Sequence, residues 1–257
     1  MNRLLLLFCL IFCTPRMVVA EPVRVMVAAN FKDCLTELAT QFTANTGHEV
    51  LLSNGATGTL FAQISAGAPC HVFFAADTDR PQRLIAAGLA IQESLVTYAI
   101  GRLVLWSPLE TVAAADIPAA LEIAQLTYGQ HLAIANPLHA PYGAAAQQAL
   151  ERTGQWRAVL PFLVKGQSAG QAWQFVHTGA ARLGFVSLAH VRAAERANPN
   201  QNLGQILLIP ATLHDPIDQQ AVLLKNAPEA AGQFLSYVTG QEATGILLAF
   251  GYEVPTP

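Results

Sequence analysis

Val25-Met26-Val27-Ala28-Ala29-Asn30-Phe31 is an apolar run that stops at small residues and a polar amide, and a helical pattern begins immediately after it. Parallel strands covered on both faces read as near-continuous apolar runs. A helix start carries free N–H groups that a preceding Asn side chain can accept. The stretch therefore predicts a strand over 23–28, Asn30 as an N-cap, and a helix over 33–46 closed by Gly47. A strand that feeds a helix N-terminus is also a ready-made anion site.

The same plan recurs outward along the chain. Glu49–Ser53 reads as a strand, followed by Asn54-Gly55-Ala56-Thr57-Gly58 and a helix over 59–66. His71–Ala75 is a third strand and Asp79–Ala87 a helix closed by Gly88. Strands alternating with helices imply an α/β fold with a mostly parallel sheet flanked by helices. From Tyr98 the character changes, and a second series begins. Strands are expected at Leu103–Trp106, His131–Ala135 and Leu183–Ser187, with helices at 144–152 and after Gly166-Gln167-Ser168-Ala169-Gly170. Residues 113–120 are alanine-rich but contain Pro118, and are read as loop and turn.

Four loops follow strands: Ala28-Ala29-Asn30, Asn54–Thr57, Pro137–Gly143 and Gly166–Gly170. In open α/β sheets ligands lie at the carboxyl ends of strands. These loops supply hydroxyls, amides and glycines, and contain no Lys, Arg, Asp or Glu. Such a set suits a small, fully ionised oxyanion held by N–H groups and helix ends. Phosphorylated metabolites usually recruit Arg or Lys, and a hydrogen phosphate would need an acceptor for its proton, so phosphate is disfavoured.

The first twenty residues read as a secretory signal: a positive start at Arg3, an apolar Leu4–Phe12, and Val18-Val19-Ala20 before an expected cleavage after Ala20. Neither Cys9 nor Cys13 sits in a lipoprotein pattern. Loss of Arg3 and Arg16 would leave twelve basic residues against 17 acidic ones, a net charge of −5. No basic cluster remains, which argues against nucleic acid as a partner. A hydrophobic content of 53% with 12% charged residues implies a generous core and excludes disorder. Beyond the leader, Cys34 and Cys70 could form a disulfide in an exported protein or be two buried small side chains. The histidines show no metal-ligand spacing. His71 with Asp77 and Asp79 is better read as a structural histidine beside helix-capping acids, so no directly ligated metal and no cofactor are expected.

Gly166-Gln167-Ser168-Ala169-Gly170 also fits the G-x-S-x-G nucleophile elbow of hydrolases, between a strand and a helix. A triad in the order Ser, acid, His could use only Ser168, Glu195 and His214. No His-Gly-Gly segment offers an oxyanion hole, so a secreted serine esterase is the alternative of another class, and no enzyme activity is expected.

Taken in order, Val27–Phe31, Gly55-Ala56-Thr57-Gly58-Thr59-Leu60, Gly67-Ala68-Pro69 leading to Val72–Asp77, Ala135-Asn136-Pro137 leading to Ala140–Gly143, Leu183–Val186 and Gly251–Pro255 are similar to the periplasmic molybdate-binding proteins of ABC importers. The resemblance runs over residues 23–255. It implies a two-lobed type II periplasmic-binding fold, with lobe 1 formed by residues 21–101 and 211–257, lobe 2 by 102–210, and the oxyanion site in the cleft between them. Carried over position by position, it implies oxyanion contacts from Asn30, from the N–H of Ala29, from the Thr57 hydroxyl, and from the N–H groups of Tyr142 and Ala169. Ser187 stands where some relatives place a longer Tyr hydroxyl. The implied ligand is molybdate or tungstate, with sulfate the nearest alternative. The implied partner is a membrane permease, and the implied setting is a monomer in the periplasm.

Overall fold

The computed structural model describes residues 21–108, 115–124, 126–127 and 129–255. The expected leader and residues 113–114 of the expected turn lie outside them.

The chain opens with β1 (Val23–Ala28), α1 (Lys32–Thr46), β2 (Val50–Gly55), α2 (Thr57–Ser65), β3 (Val72–Phe74), α3 (Asp79–Ala86) and β4 (Val96–Gly101). It continues through β5 (Leu103–Ser107), α4 (Ile117–Ala124), β6 (Leu132–Ala135), α5 (Pro141–Arg152), α6 (Trp156–Val159), β7 (Leu163–Gly166), α7 (Ala169–His177), β8 (Leu183–Ser187), α8 (Leu188–Ala197) and β9 (Gln205–Leu208). It ends with β10 (Ile217–Leu223), α9 (Glu229–Thr239) and α10 (Gln241–Ala249).

The strands form two five-stranded sheets, in the orders β2-β1-β3-β10-β4 and β7-β6-β8-β5-β9. In the first, β1 runs parallel to β2 and β3, while β10 is antiparallel to both its neighbours. In the second, β6 runs parallel to β7 and β8, while β5 is antiparallel to both its neighbours. The reversed strand of each sheet is the one that has just arrived from the other: β5 follows β4 after Arg102 alone, and β10 follows β9 after residues 209–216. Each sheet is thus mostly parallel and flanked by helices, the arrangement expected from the alternation of strands and helices.

Period-two alternation along β1 feeds two separate cores. Val23, Val25 and Val27 pack with Leu35, Leu38 and Phe234 from α1 and α9. Met26 points to the opposite face, with Leu60, Ile64 and Phe73. Full burial of each such Leu or Phe is worth about 1.5–3 kcal/mol.

Two expectations need correction and one open alternative is resolved. Asn30 is not the N-cap of α1, which starts at Lys32 with Phe31 in the cap position and no capping side chain. Phe31 is fully buried, with ring centroids 4.5 Å from Tyr98, 5.4 Å from Tyr252 and 5.8 Å from Phe74. Aromatic packing therefore decides the entry into α1, and the Asn30 amide turns inward. Ile117–Ala124 is a helix: Pro118 falls in its first turn, where no N–H is needed, and the Asp116 carboxylate accepts from Ala119 N–H at 2.9 Å. Cys34 and Cys70 are both free thiols, in the cores on opposite sides of the first sheet. Burial pushes the Cys70 thiol up to about 12 and Cys34 higher still, so both are inert small side chains.

Helix α8 departs from a simple division between the sheets. It joins β8 to β9 in the second sheet, yet Ala189 belongs to the core that α1 forms with the first. Arg196 pairs with Glu37 at 2.7 Å and lies over the Phe250 ring at 4.8 Å.

Candidate functional site

The carboxyl ends of β1, β2, β6 and β7 point to one place between the two sheets. A small cavity there is lined by Ala28, Ala29, Asn30, Gly55, Ala56 and Thr57 on one side and Ala140, Pro141, Tyr142 and Ala169 on the other, with Ala76 at its edge. Its volume is about 180 Å³. No Lys, Arg, Asp or Glu lines it.

The lining is rich in donors. Among the described residues, the main-chain N–H groups of Asn30, Ala56, Thr57, Tyr142 and Ala169 have no protein acceptor. Each sits at or just before the first turn of a helix, so the N-termini of α1, α2, α5 and α7 face the cavity. Free N–H groups and aligned helix dipoles make such a point electropositive without any cationic side chain. The Thr57 hydroxyl accepts from Ala76 N–H at 3.2 Å, which leaves its own proton to donate.

Five of the six residues singled out from sequence line this cavity: Ala29, Asn30, Thr57, Tyr142 and Ala169. Two of them play a different part from the one expected. The Ala29 N–H is spent on Gly55 O at 2.9 Å. The Asn30 side-chain NH2 is spent on Gln219 Oε1 at 2.8 Å and Tyr252 Oη at 3.1 Å, so Asn30 offers the cavity its main-chain N–H. Ser187 is fully buried but not part of the lining: it caps α8, and its Oγ lies 2.7 Å from His190 Nδ1.

Beneath the lining is a polar floor that sequence reading missed. Gln219, on β10, accepts from Asn30 and from Tyr98 Oη at 3.0 Å, and donates through Nε2 to Tyr142 Oη at 3.4 Å. Tyr252 Oη donates to Asn30 O at 2.7 Å. Burial raises the hydroxyl pKa of Tyr98, Tyr142 and Tyr252, so all three stay neutral. Tyr142 reaches this floor across the cleft only because residue 101 is glycine: a Cβ there would stand 2.2 Å from Tyr142 Oη. Partners up to 222 residues apart leave no local sequence signal.

His190 lies behind the lining. Its ring stacks on Trp173 at 5.9 Å. Burial lowers its pKa to about 4, so the ring is neutral, with Nδ1 2.7 Å from Ser187 Oγ. His71 lies away from the cavity, where Nδ1 accepts from Arg24 N–H at 3.1 Å. No cluster able to hold a metal ion occurs among the described residues. Ser168 Oγ caps α7 by accepting from Gln171 N–H at 3.3 Å, Glu195 pairs with Arg192 at 2.6 Å, and His214 Nδ1 lies 2.7 Å from Asp215 O, so each residue of the hypothetical triad has a partner outside it.

Residues 23–253 match the family described as bacterial extracellular solute-binding protein. The molybdate-binding protein ModA of Azotobacter vinelandii is 41% identical over 235 residues, which cover 91% of this chain and 90% of that protein. ModA of Rhodobacter capsulatus is 40% identical over 228 residues, covering 88% and 86%. The solved structure of the Azotobacter vinelandii periplasmic molybdate-binding protein superposes with a TM-score of 0.82 at 39% identity, over 91% of this chain and 100% of that one. The fold, the order of its strand-end loops and these matches agree: the chain belongs to the family of bacterial extracellular solute-binding proteins that includes the ModA proteins.

Proposed function

We propose that this protein captures molybdate, and also tungstate, in the cleft between its sheets and hands it to the membrane permease of an ABC importer. The observation that carries the reading is the charge-free lining, into which the N–H groups of Asn30, Ala56, Thr57, Tyr142 and Ala169 open. A fully ionised tetrahedral dianion needs only donors, and this lining supplies donors without a carboxylate to repel it. The ModA relatives described above support the choice of metal oxyanion.

In this reading residues 21–101 and 211–257 form lobe 1 and residues 102–210 form lobe 2. Asn30 and Thr57 contact the anion from one lobe, Tyr142 and Ala169 from the other. Donors on both sides favour the closed state in proportion to the extra affinity it offers. Ala29 and Ser187 act through the shape of the loops they hold. The protein works as an exported monomer in the periplasm, without a cofactor, a reaction or a nucleic-acid partner.

Isothermal titration of residues 21–257 with molybdate, tungstate, sulfate and phosphate tests this. Heat of binding with molybdate and tungstate at micromolar protein is the expected result. No heat with either would overturn the reading.

A further inference from the structure

We propose that Gly58 sets how far the two sides of the cleft close, and thereby the size of oxyanion the cavity accepts; this rests on the oxyanion-binding function proposed above. Gly58 is the second residue of α2, next to Thr57. Its N–H donates to His139 O at 2.9 Å, across the cleft, in the loop that leads to Tyr142. The two backbones therefore touch directly beside the cavity.

Nothing in the local backbone calls for glycine here. Gly58 is not among the residues with positive φ. Inside a helix glycine costs stability relative to alanine. Opposite, a Cβ at residue 58 would stand 3.1 Å from His139 O and 3.2 Å from His139 Cα, and on its own side it would stand 3.1 Å from Arg80 Nη2. Arg80 is itself held by the Asp77 carboxylate and lies 3.4 Å from Leu138 O. A Cβ would thus push the two sides apart by a few tenths of an ångström. Thr57 and Tyr142 sit next to this seam on its two sides and would separate with it. A cavity of only about 180 Å³ has little tolerance for such a change. The smaller the anion, the worse it would bridge the widened gap.

The test compares the wild type with Gly58→Ala, titrated at pH 8 with chromate, molybdate and tungstate. Thr59→Ala, on the exposed side of the same helix, serves as control. Chromate is the smallest of the three, and molybdate and tungstate are nearly the same size. In Gly58→Ala the molybdate-over-chromate preference should rise by about tenfold. The tungstate-to-molybdate ratio should not move, and the ligand-free Tm should not fall. An unchanged preference, or an equal loss for all three anions, would overturn the inference. A wild type that binds none of them would instead overturn the proposed function, and this inference with it.

Discussion

The side-chain amide of Asn30 donates to Gln219 Oε1 at 2.8 Å, beneath the cavity and out of reach of solvent. The same NH2 group donates to Tyr252 Oη, so both its hydrogens are committed within the protein. The residue that reads from sequence as a ligand is thereby also the residue that joins β1 to β10 and to the C-terminal segment. Its main-chain N–H is held in place by these contacts.

Asn30→Ala removes the donor it gives to Gln219 Oε1 and to Tyr252 Oη, while Tyr98 still donates to Gln219 and Tyr252 still donates to the main-chain O of residue 30, so each lost bond costs about 0.5–1.5 kcal/mol. Urea unfolding should show a clear loss of stability. Because Asn30 and Gln219 are bonded, the double variant with Gln219→Ala should lose less than the sum of the singles. Strict additivity would mean that the bond carries no coupling.

Thr57 has a second role that bears on its substitution. Under the proposed function Thr57→Ala removes a donor to the anion, and it also removes the acceptor of Ala76 N–H. Molybdate affinity should fall by about 1–3 kcal/mol. Thr57→Ser keeps the hydroxyl and should bind nearly as well as the wild type in the same titration. Equal weakening in both variants would put the methyl group, not the hydroxyl, at the site.

Tyr142 supplies a main-chain N–H to the cavity and a hydroxyl to the floor. Tyr142→Phe leaves the N–H in place and removes only a 3.4 Å contact with Gln219. Affinity should change by less than about threefold, while stability falls by about 1 kcal/mol, since Gln219 Nε2 loses its acceptor. Titration and urea unfolding of the same preparation separate the two effects.

His190 makes stability depend on pH with a definite sign. Its pKa is about 4 in the folded protein, against an ordinary value of 6.5. Asp33 pulls it upward and Lys32 pushes it down, but burial dominates. Above pH 6.5 neither the folded nor the unfolded chain protonates it. Between pH 6.5 and 4 the unfolded chain takes a proton that the folded one refuses, so stability falls as pH falls, by about 3 kcal/mol in full. His71, also lowered by burial, acts in the same direction. Urea midpoints should drop between pH 7.5 and 4.5, and His190→Gln should flatten that drop. An equal drop in the variant would assign the effect to other groups.

Apolar runs and glycine stops locate the strands and helices of the first sheet because those elements are made by local rules. The four donor loops were legible for the same reason: each follows a strand and opens a helix. Their inward-facing network was not. Gln219 looks like any polar residue of a strand, and only the fold brings it under Asn30, 189 residues away in sequence. The N-cap assigned to Asn30 failed because the burial of Phe31 outweighs a capping bond. Helix Ile117–Ala124 was missed because Pro118 reads as a breaker, whereas in a first turn it is harmless.

Helix α8 belongs to the second sheet by chain order and lends its Ala189 face to the core of the first. Residues 102–210 cut out as a separate piece would carry that face bare into solvent. The remainder would lose the cover over α1 and the Arg196 contact on Phe250. Neither piece would keep this contact alone, so the protein should melt in a single transition, and a split version should regain full structure only when both pieces are present.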